Sequence, residues 1–589
     1  MMDAVTGGTL LAECLASFNV EAVFTVPGSQ NVAQLEELRS TGIRIVAGTS
    51  ELSAAFMTNG HARVRRSPAV ITTIPGPGFT FALPGIAEAR LDSVPLVWIC
   101  IAPTRGPDGG TGLQELPQVD IASPLVKEVV PVDRADEVVE AFVHAFEVAS
   151  TSEPGPVLLH VAPTALRERT SIGTNAAAVP EFGRRRAPAP SDELLDAAVR
   201  AVADAVRPLI FVGQGGLDDP HRIRRLAELL GGPVLTTTTA RGVVSEHHPL
   251  VMPTDGPGDS PELQNRLIEE ADLVLVLGAG LSFSGSCGYR LRIPEVKMVR
   301  IDSSADALGE PYPARIEVHA DVRTFLDRAL GDDSPLRSPR SKAARWPDKA
   351  LAGRRKEFAE RLHQSGVTLQ VTGQGDGSVR TLLSALQEVL PDDALIVTDS
   401  GRHQMLARRW LTVKSPGALM TPSDLQSMGF GLPAALGAKV AAPDREVVAL
   451  IGDGGFQVTM GELLVAAREG LGVRVLVFVD NELGLIAEDQ RRNFGRTVGT
   501  SLVSPDLSSL SQALGARFLK VDGSRHAQAR FEEMLGDPGP TVVEVPLSRS
   551  FSSKAGQAKA LARESVRGLA DSDLMSSLRR MMGQVRRRE

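Results

Sequence analysis

The sequence is poor in cysteine, in aromatic residues and in long apolar runs. Its 589 residues include three widely spaced cysteines, Cys14, Cys100 and Cys287, and aromatic residues make up 4% of the chain. That cysteine usage argues against a disulfide framework or a paired-cysteine metal site and favours a reducing compartment. We expect all three cysteines to be small core residues.

Features of membrane, secreted and nucleic-acid-binding proteins are also missing. No run approaches the ~18 apolar residues of a membrane span. The first residues lack the positive region and apolar core of a secretory signal, so we expect a cytoplasmic protein without membrane contact. The net charge of −8 gives no overall basic footprint for nucleic acid. Apolar and charged contents of 43% and 23% are ordinary for a globular protein.

Short apolar runs alternate with helix-like segments along the chain. Continuous apolar runs are typical of parallel strands buried on both faces, and their alternation with helices predicts an α/β fold. We expect three doubly wound parallel-sheet domains. The runs that we interpret as strands are "EAVFTV", "AVITTI", "PLVWICIA", "PVLLHVA", "PLIFVG", "ADLVLVLGAG", "VKMVRID", "ALIVTDS", "VVALIGDG", "VRVLVFVD" and "PTVVEVPL".

Two segments have the composition of linkers. Residues 170–192 are rich in Pro, Ala, Gly and charge, and residues 331–357 are polar and basic. The C-terminal segment is basic and helix-prone, which suits a solvated tail, a lid or a partner-binding helix. The predicted division is 1–170, 190–332 and 370–550 for the three domains and 551–589 for the tail.

The stretch "EVVALIGDGG" ends an apolar run in a glycine-rich turn. Glycine allows a sharp turn and close approach of the backbone to a ligand. Thr459 and Glu462 have capping-box spacing, so we expect a helix to begin there and to end at Gly470. The run "VRVLVFV" is then the next buried strand, which completes a strand–helix–strand unit.

If the two strands are neighbours, Asp453 and Asp480 emerge at the same sheet edge. Neighbouring strands lie about 4.8 Å apart, so two carboxylates could bind one ion there. Carboxylates and loop carbonyls suit Mg²⁺, which usually completes its shell with ligand phosphates, and a helix N-terminus supplies N–H donors to those phosphates. The alternative is a tight turn followed by an exposed acid at a strand end.

These motifs together resemble the thiamine-diphosphate-dependent enzymes of the acetolactate synthase and 2-oxo acid decarboxylase type, from about residue 6 to 550. In that family, GDG followed by asparagine at the end of the next strand binds Mg²⁺ and the diphosphate. The resemblance implies Asp453 as the first metal ligand and the backbone carbonyl of Glu482 as another. Asp480 takes the second side-chain position, where relatives mostly carry asparagine; a shift of one residue would give that position to Asn481.

Three motifs near the N-terminus resemble the pyrimidine-binding part of the family. "FTVPGSQN" contributes Pro27 and Gly28, and "IPGPGFTF" contributes Pro75 and Gly76. "GTSELSAAFMTNGHARV" resembles the segment that carries the activating glutamate, which makes Glu51 that residue.

Motifs near the C-terminus resemble the diphosphate-binding part. "TDSGRHQMLARRW" implies that Gly401, Arg402 and His403 approach the diphosphate. "SMGFGLPAALGAKVA" implies that Met428 lies between the two cofactor rings, and "TTTTARGVVSEHHPL" and "VRIDSS" resemble the central domain. Further cofactor-binding residues implied by the GDG segment are Gly452, Asp453, Gly454, Gly455, Asn481, Leu483 and Gly484.

The resemblance also implies the roles of two catalytic residues. Glu51 would hold a proton at the cofactor's pyrimidine, and apolar surroundings would raise its pKa. Met428 would position the cofactor. Since Glu51 and Asp453 belong to different predicted domains, the cofactor must bridge them. In the family they come from different subunits, which implies a homodimer or tetramer.

The implied substrates are a 2-oxo acid and a second carbonyl acceptor. "GLQELPQVD" resembles a substrate-facing segment of acetolactate synthases, which makes Gln114 a candidate and favours carboligation. A non-ligating decarboxylase and a catalytically silent relative are the alternatives. Ser50, Phe81 and the Glu488–Asp489 region depart from acetolactate synthase and favour a specialised carboligase. The segment "LGAGLSFSG" lies where flavin-binding relatives contact FAD but lacks GxGxxG, so FAD is a possible cofactor that the sequence does not assign.

Overall fold

The computed structural model describes residues 4–104, 106, 110–171, 189–254, 261–337, 346–364, 369–372 and 377–549. Within these ranges, no helix combines the length and the apolar character that a membrane crossing requires.

The first part of the chain forms a six-stranded sheet within its described residues. Its elements are β1 (Val5–Thr6), α1 (Gly7–Ser17), β2 (Ala22–Thr25), α2 (Val32–Ser40), β3 (Arg44–Ala47), α3 (Glu51–Arg65), β4 (Ala69–Thr73), α4 (Pro77–Leu91), β5 (Leu96–Ile101), α5 (Gln118–Ala122), β6 (Val129–Val132), α6 (Val138–Ser150), β7 (Pro156–Val161), α7 (Pro163–Arg167) and β8 (Arg169–Thr170). The strand order is β3-β2-β4-β5-β7-β6, and all neighbours are parallel.

The middle part forms a five-stranded parallel sheet, counted over its described residues. Its elements are α8 (Asp192–Asp204), β9 (Pro208–Val212), α9 (Pro220–Leu230), β10 (Val234–Thr236), α10 (Pro261–Glu270), β11 (Leu273–Leu277), β12 (Met298–Asp302), β13 (Ile316–His319), α11 (Val322–Leu330) and α12 (Asp348–Gln364). The strand order is β10-β9-β11-β12-β13.

The last part forms a seven-stranded sheet in the region described up to residue 549. Its elements are β14 (Leu369–Val371), α13 (Val379–Val389), β15 (Leu395–Thr398), α14 (Arg402–Trp410), β16 (Leu419–Met420), α15 (Gly431–Ala441), β17 (Val447–Gly452), α16 (Asp453–Thr459), α17 (Glu462–Glu469), β18 (Val473–Val479), α18 (Gly484–Phe494), α19 (Leu507–Ala513), β19 (Arg517–Lys520), α20 (Ala527–Leu535) and β20 (Thr541–Arg549). The strand order is β14-β20-β18-β17-β15-β16, with β19 beside β20.

The predicted α/β class with three mainly parallel sheets is confirmed. Every apolar run interpreted as a strand contains one, and strands such as β5 and β11 are buried along their whole length. Two pairings of the described strands are antiparallel, those of β14 with β20 and of β1 with β8. Several short strands were missed, such as β3, which has three consecutive apolar residues, and β13, in which apolar and polar residues alternate.

The second predicted linker is partly wrong, because α12 begins at Asp348 inside the segment 331–357. Its buried Leu351 and Phe358 join the middle core, which explains why this basic segment is helical. Most of the first linker and the whole predicted tail, 551–589, lie outside the described residues. The domain boundaries therefore stay predictions. The three cysteines are free and buried, as expected.

The glycine-rich turn differs locally from its prediction. The helix after the turn begins at Asp453, not at Thr459, and a second helix begins at Glu462. The capping box is absent from this described segment, because the buried Glu462 carboxylate accepts hydrogen bonds from the backbone N and Oγ1 of Thr49 instead. Gly470 ends the second helix in a left-handed conformation, as predicted.

Helices α3 and α15 join the first and last parts of the chain. The Cα of Gly60 lies against the backbone of Ala434, and the Cα of Gly437 lies against the backbone of Met57. These pairings make the two helices antiparallel. One apolar core continues from the first sheet across this helix pair into the last sheet.

A side chain at Gly60 should therefore destabilise the protein. Gly60→Ala would overlap the backbone of Ala434, and overpacking of this kind costs about 1–3 kcal/mol. We expect a lower melting temperature in thermal unfolding. Gly353→Ala is the matched control, since Gly353 is also helical but has open space around it. Its replacement should be neutral or stabilising, and equal losses in the two variants would contradict the packing argument.

Candidate functional site

The carboxyl ends of β17 and β18 form one edge of the last sheet. The two strands are parallel neighbours, with Gly452 opposite Phe478. Asp453 follows β17 directly, and Asp480 follows β18 directly. The predicted meeting of these two acids at one sheet edge is confirmed.

Asp453 is buried at 3% exposure and holds two segments together. Its Oδ1 accepts from the backbone N of Gly454 at 3.0 Å. Its Oδ2 accepts from the backbone N of Asn481 at 2.7 Å and from Oγ of Ser504 at 3.0 Å. Burial and the nearby Asp480 charge raise the pKa of Asp453. The carboxylate is therefore fixed in place next to a second negative charge.

The segment after β18 turns sharply around Asp480. Asp480 Oδ1 accepts from the backbone N of Glu482 at 3.2 Å, and Oδ2 accepts from the guanidinium of Arg402. Asn481 has a left-handed backbone with φ of 56°. The side chain of Glu482 forms an ion pair with Arg491 of α18.

His403 lies between the two glycine-containing turns of this edge. A Cβ on Gly401 would lie 2.8 Å from its Cε1, and a Cβ on Gly452 would lie 3.1 Å from its Nδ1. Burial lowers the pKa of His403 to about 4, so the ring is neutral near pH 7. Its buried Nε2 has no hydrogen-bond partner among the described residues.

Met428 stands on a loop that two buried carboxylates hold. Glu88 of α4 accepts from the backbone N of Ser427 at 3.1 Å. Asp399, directly after β15, accepts from the backbone N of Gly429 at 3.0 Å and of Gly431 at 3.3 Å. Met428 itself is 41% exposed, so it is not a core residue. Its Cε lies 3.5 Å from where a Cβ on Gly454 would be, which places it beside the glycine-rich turn.

Glu51 is the first residue of α3 and lies in the first part of the chain. It is only 7% exposed, and burial raises the pKa of its carboxyl group, as predicted. Its Oε1 lies 2.8 Å from the position of a Cβ on Gly78, at the start of α4. Ser50 caps the helix by accepting from the backbone N of Ser53.

Gln114 lies next to the turn formed by Pro75 and Gly76, directly before α4. Its side chain contacts Gly76, and its Oε1 accepts from Nε2 of Gln30 at 2.5 Å. The turn before Gln30 is formed by Pro27 and Gly28, whose backbone N donates to Asn31 Oδ1 at 2.9 Å. Pro75 and Gly76 are buried beside it. Glu51, Gln114 and these two turns thus form one cluster.

The cluster around Glu51 and the cluster around Met428 are separated within one chain. Gly78 lies beside Glu51 at the start of α4, while Glu88 holds the Met428 loop ten residues further along the same helix. At 1.5 Å per residue, this separation is about 15 Å along the helix axis. The surroundings of Glu51 and of Met428 therefore lie at different parts of α4.

The middle sheet carries a cavity of about 840 Å³ at the carboxyl ends of its strands. Loops around Gly213, Gly278 and Asp302 line it. Asp302 ends β12, and its Oδ1 accepts from the backbone N of Ser304 at 3.0 Å. Burial raises the pKa of Asp302 to about 6. This is the edge at which open α/β sheets bind ligands.

Reasoning from the sequence missed several residues that hold the site. Asp399 was inside a quoted motif, and its place directly after an apolar run is the signal that could have found it. Glu88, Glu462 and Ser504 have no local signal, because their partners lie far away in the sequence.

Comparison with known proteins agrees with this geometry. Three family descriptions match: "Thiamine pyrophosphate enzyme, N-terminal TPP binding domain" at residues 5–122, the central domain of the same enzymes at 195–329, and their C-terminal TPP binding domain at 399–545. The chain belongs to the thiamine pyrophosphate enzymes.

Similar proteins narrow the class further. The chain is 29% identical to acetolactate synthase isozyme 1 large subunit of Escherichia coli (strain K12), over 92% of this chain and 93% of the relative. It is 30% identical to probable acetolactate synthase 2, chloroplastic, of Oryza sativa subsp. japonica, over 92% and 82%. It is 28% identical to the acetolactate synthase large subunit of Corynebacterium glutamicum, over 88% and 83%. Within its family, the chain is an acetolactate-synthase-like enzyme.

The buried carboxyl of Asp399 should leave a pH signature in stability. Burial raises its pKa to about 7. Above about pH 4 the unfolded chain releases this proton, while the folded protein retains it until about pH 7. Rising pH therefore destabilises the wild type relative to Asp399→Asn, by up to about 1.4 kcal/mol per pH unit in this window.

Melting temperatures of both proteins at several pH values would measure this effect. The melting temperature of Asp399→Asn should rise steadily relative to that of the wild type up to about pH 7, and the difference should then level off. Asp332→Asn, at an exposed position, is the control and should show no such trend. A difference that is constant with pH would contradict the assigned proton.

Proposed function

We propose that the protein is a thiamine-diphosphate- and Mg²⁺-dependent carboligase. It would decarboxylate a 2-oxo acid, pyruvate or a similar compound, and transfer the resulting acyl unit to a second carbonyl acceptor. The observation that carries this proposal is the single sheet edge at which Asp453, Asp480 and the glycine-rich turn meet. The similarity to acetolactate synthases supports ligation over simple decarboxylation.

The diphosphate and its metal fit the edge of the last sheet. The start of α16 lies at this edge, and the N-terminus of a helix favours an anionic group. Gly452, Gly454 and Gly455 let His403, Leu483 and Asp399 pack closely around the turn. The buried, unpartnered Nε2 of His403 is a polar atom that a ligand could satisfy. The same cradle includes Gly401, Arg402, Leu483 and Gly484.

For the metal we propose Asp453, Asp480 and the backbone carbonyl of Glu482. Among the described residues, no group of three or more His, Cys, Asp or Glu forms a ready metal cage. Mg²⁺ does not require one, because it is commonly bound by one or two carboxylates together with water and substrate phosphates. We prefer Asp480 to Asn481 for the second side chain, because Mg²⁺ is commonly bound by carboxylates.

Glu51 and Met428 act on the rest of the cofactor. Thiamine diphosphate, when bound, supplies the electron sink for decarboxylation. Glu51 would hold a proton against the pyrimidine ring, and its raised pKa favours this protonated form. Met428 would help to position the cofactor, and its loop is held by Glu88 and Asp399. Gln114, held by Gln30, would face the substrate.

The separation of Glu51 from Met428 within one chain favours an assembly of two or more copies. Glu51 and Met428 must contact the same cofactor, yet about 15 Å of α4 separates their surroundings within one chain. A two-fold partner can bring Glu51 of one copy to Met428 of the other. We therefore propose a homodimer, or a tetramer of two such dimers, with its active sites between subunits.

The cavity of the middle sheet is a candidate FAD site. Its volume is within the usual range for ligand pockets. The Asp302 carboxylate at the end of β12 has the position in which dinucleotide-binding sheets contact a ribose hydroxyl.

Cofactor binding and turnover test the proposed function directly. Thiamine diphosphate with Mg²⁺ should raise the melting temperature of the wild type, and a panel of 2-oxo acids should yield ligated products identified by mass. Glu51→Gln should bind the cofactor but lose at least about a hundredfold in activity, the usual contribution of acid–base groups. Absence of a thermal shift would refute the cofactor assignment, and free aldehyde as sole product would favour the decarboxylase.

Mixing two inactive variants tests whether the site is shared. Glu51→Gln and Asp453→Ala chains, unfolded and refolded together, should regain about a quarter of wild-type activity, because each mixed dimer contains one intact site. Each variant refolded alone is the control and should stay inactive. No recovery in mixtures whose mixed dimers are verified by mass would place both residues in one chain's own site.

A further inference from the structure

A buried ion pair connects the two segments that surround the proposed diphosphate site. Arg402 is the first residue of α14, and its Nη2 donates to Oδ2 of Asp480. The side chains are only 11% and 17% exposed. Solvent and salt therefore screen this pair weakly, so each charge acts strongly on its surroundings.

The guanidinium of Arg402 lies inside the cradle and not in solvent. It covers Gly484, where a Cβ would overlap Nη2, Cζ and Nε. Its Nε is buried and has no hydrogen-bond partner among the described residues. A buried donor without a partner is costly, and a phosphate oxygen in the cradle would satisfy it.

The ion pair also changes the charge that a metal would meet. Asp453 and Asp480 bring two carboxylates to the edge, and Arg402 returns one positive charge. The nearby Glu482 carboxylate is matched by Arg491. The charge of Asp480 is thus opposed by the Arg402 guanidinium beside it.

We propose that Arg402 and Asp480 act as one unit that balances metal affinity against diphosphate affinity. Asp480 contributes negative charge to the metal, while Arg402 limits that charge and directs a donor to the diphosphate. The inference rests on the proposed function. It goes further, because a residue that only lies near the diphosphate would not change the affinity for the metal. Arg402 is a positioning residue for Asp480 and a binding residue for the diphosphate.

This arrangement predicts opposite effects on the two ligands. In Arg402→Gln, Asp480 loses its counter-charge, so Mg²⁺ should bind about tenfold tighter and thiamine diphosphate about tenfold more weakly. In Asp480→Asn the freed guanidinium should reverse both effects. Arg402→Gln/Asp480→Asn should return the Mg²⁺ affinity close to that of the wild type, since both charges of the pair are removed together. Its affinity for thiamine diphosphate should stay below that of the wild type, because the Arg402 donor is still missing.

Calorimetric titration of the full-length protein measures both affinities. Mg²⁺ is titrated at saturating thiamine diphosphate, and thiamine diphosphate at saturating Mg²⁺. Arg354→Gln is the control, because it breaks an ion pair with Glu270 far from the site and should alter neither affinity.

Other outcomes would overturn the proposal. If Arg402→Gln lowers the affinity for both ligands and also lowers the melting temperature, the ion pair has only a structural role. If that variant does not fold, Asp480→Asn is the deciding variant. The proposal requires that it bind Mg²⁺ more weakly and thiamine diphosphate more tightly than the wild type does. Failure of the wild type itself to bind thiamine diphosphate would instead reject the proposed function, which separates the two failures.

Discussion

The contact between α3 and α15 is the constraint on which the rest of the structure depends. Backbone meets backbone at Gly60 with Ala434 and at Gly437 with Met57, so no side chain separates the two helices there. This approach joins the first and last sheets in one apolar core. Glu51 is the first residue of α3, so the same helix also positions the carboxyl group that we propose to act on the cofactor.

Buried carboxylates organise the loops around this core. Asp399 and Glu88 hold the Met428 loop, Asp453 holds the segment after β18, and Glu462 holds the residues before α3. Each accepts backbone N–H groups that would otherwise be unsatisfied, which offsets the cost of burying the acid. The site is therefore rigid because its acids are used as acceptors, and only Asp453 and Asp480 are also suited to a metal.

Much of the fold was predictable because its signals are local. Apolar runs such as those of β5 and β17 are buried on both faces, so their sequence pattern alone predicts parallel strands. Errors occurred where a tertiary contact replaced a local one. Glu462 bonds to Thr49 and does not cap a helix with Thr459, and the basic α12 packs on the middle core through Leu351 and Phe358.

The sequence by itself determined the α/β class, the positions of Asp453 and Asp480 at one sheet edge, and the burial that raises the pKa of Glu51. These depend on strand periodicity and on nearby apolar residues. Only the tertiary structure decided that Arg402 pairs with Asp480 and that Glu88 holds the Met428 loop. Such contacts join residues distant along the chain, and chain folding, not local pattern, brings them together.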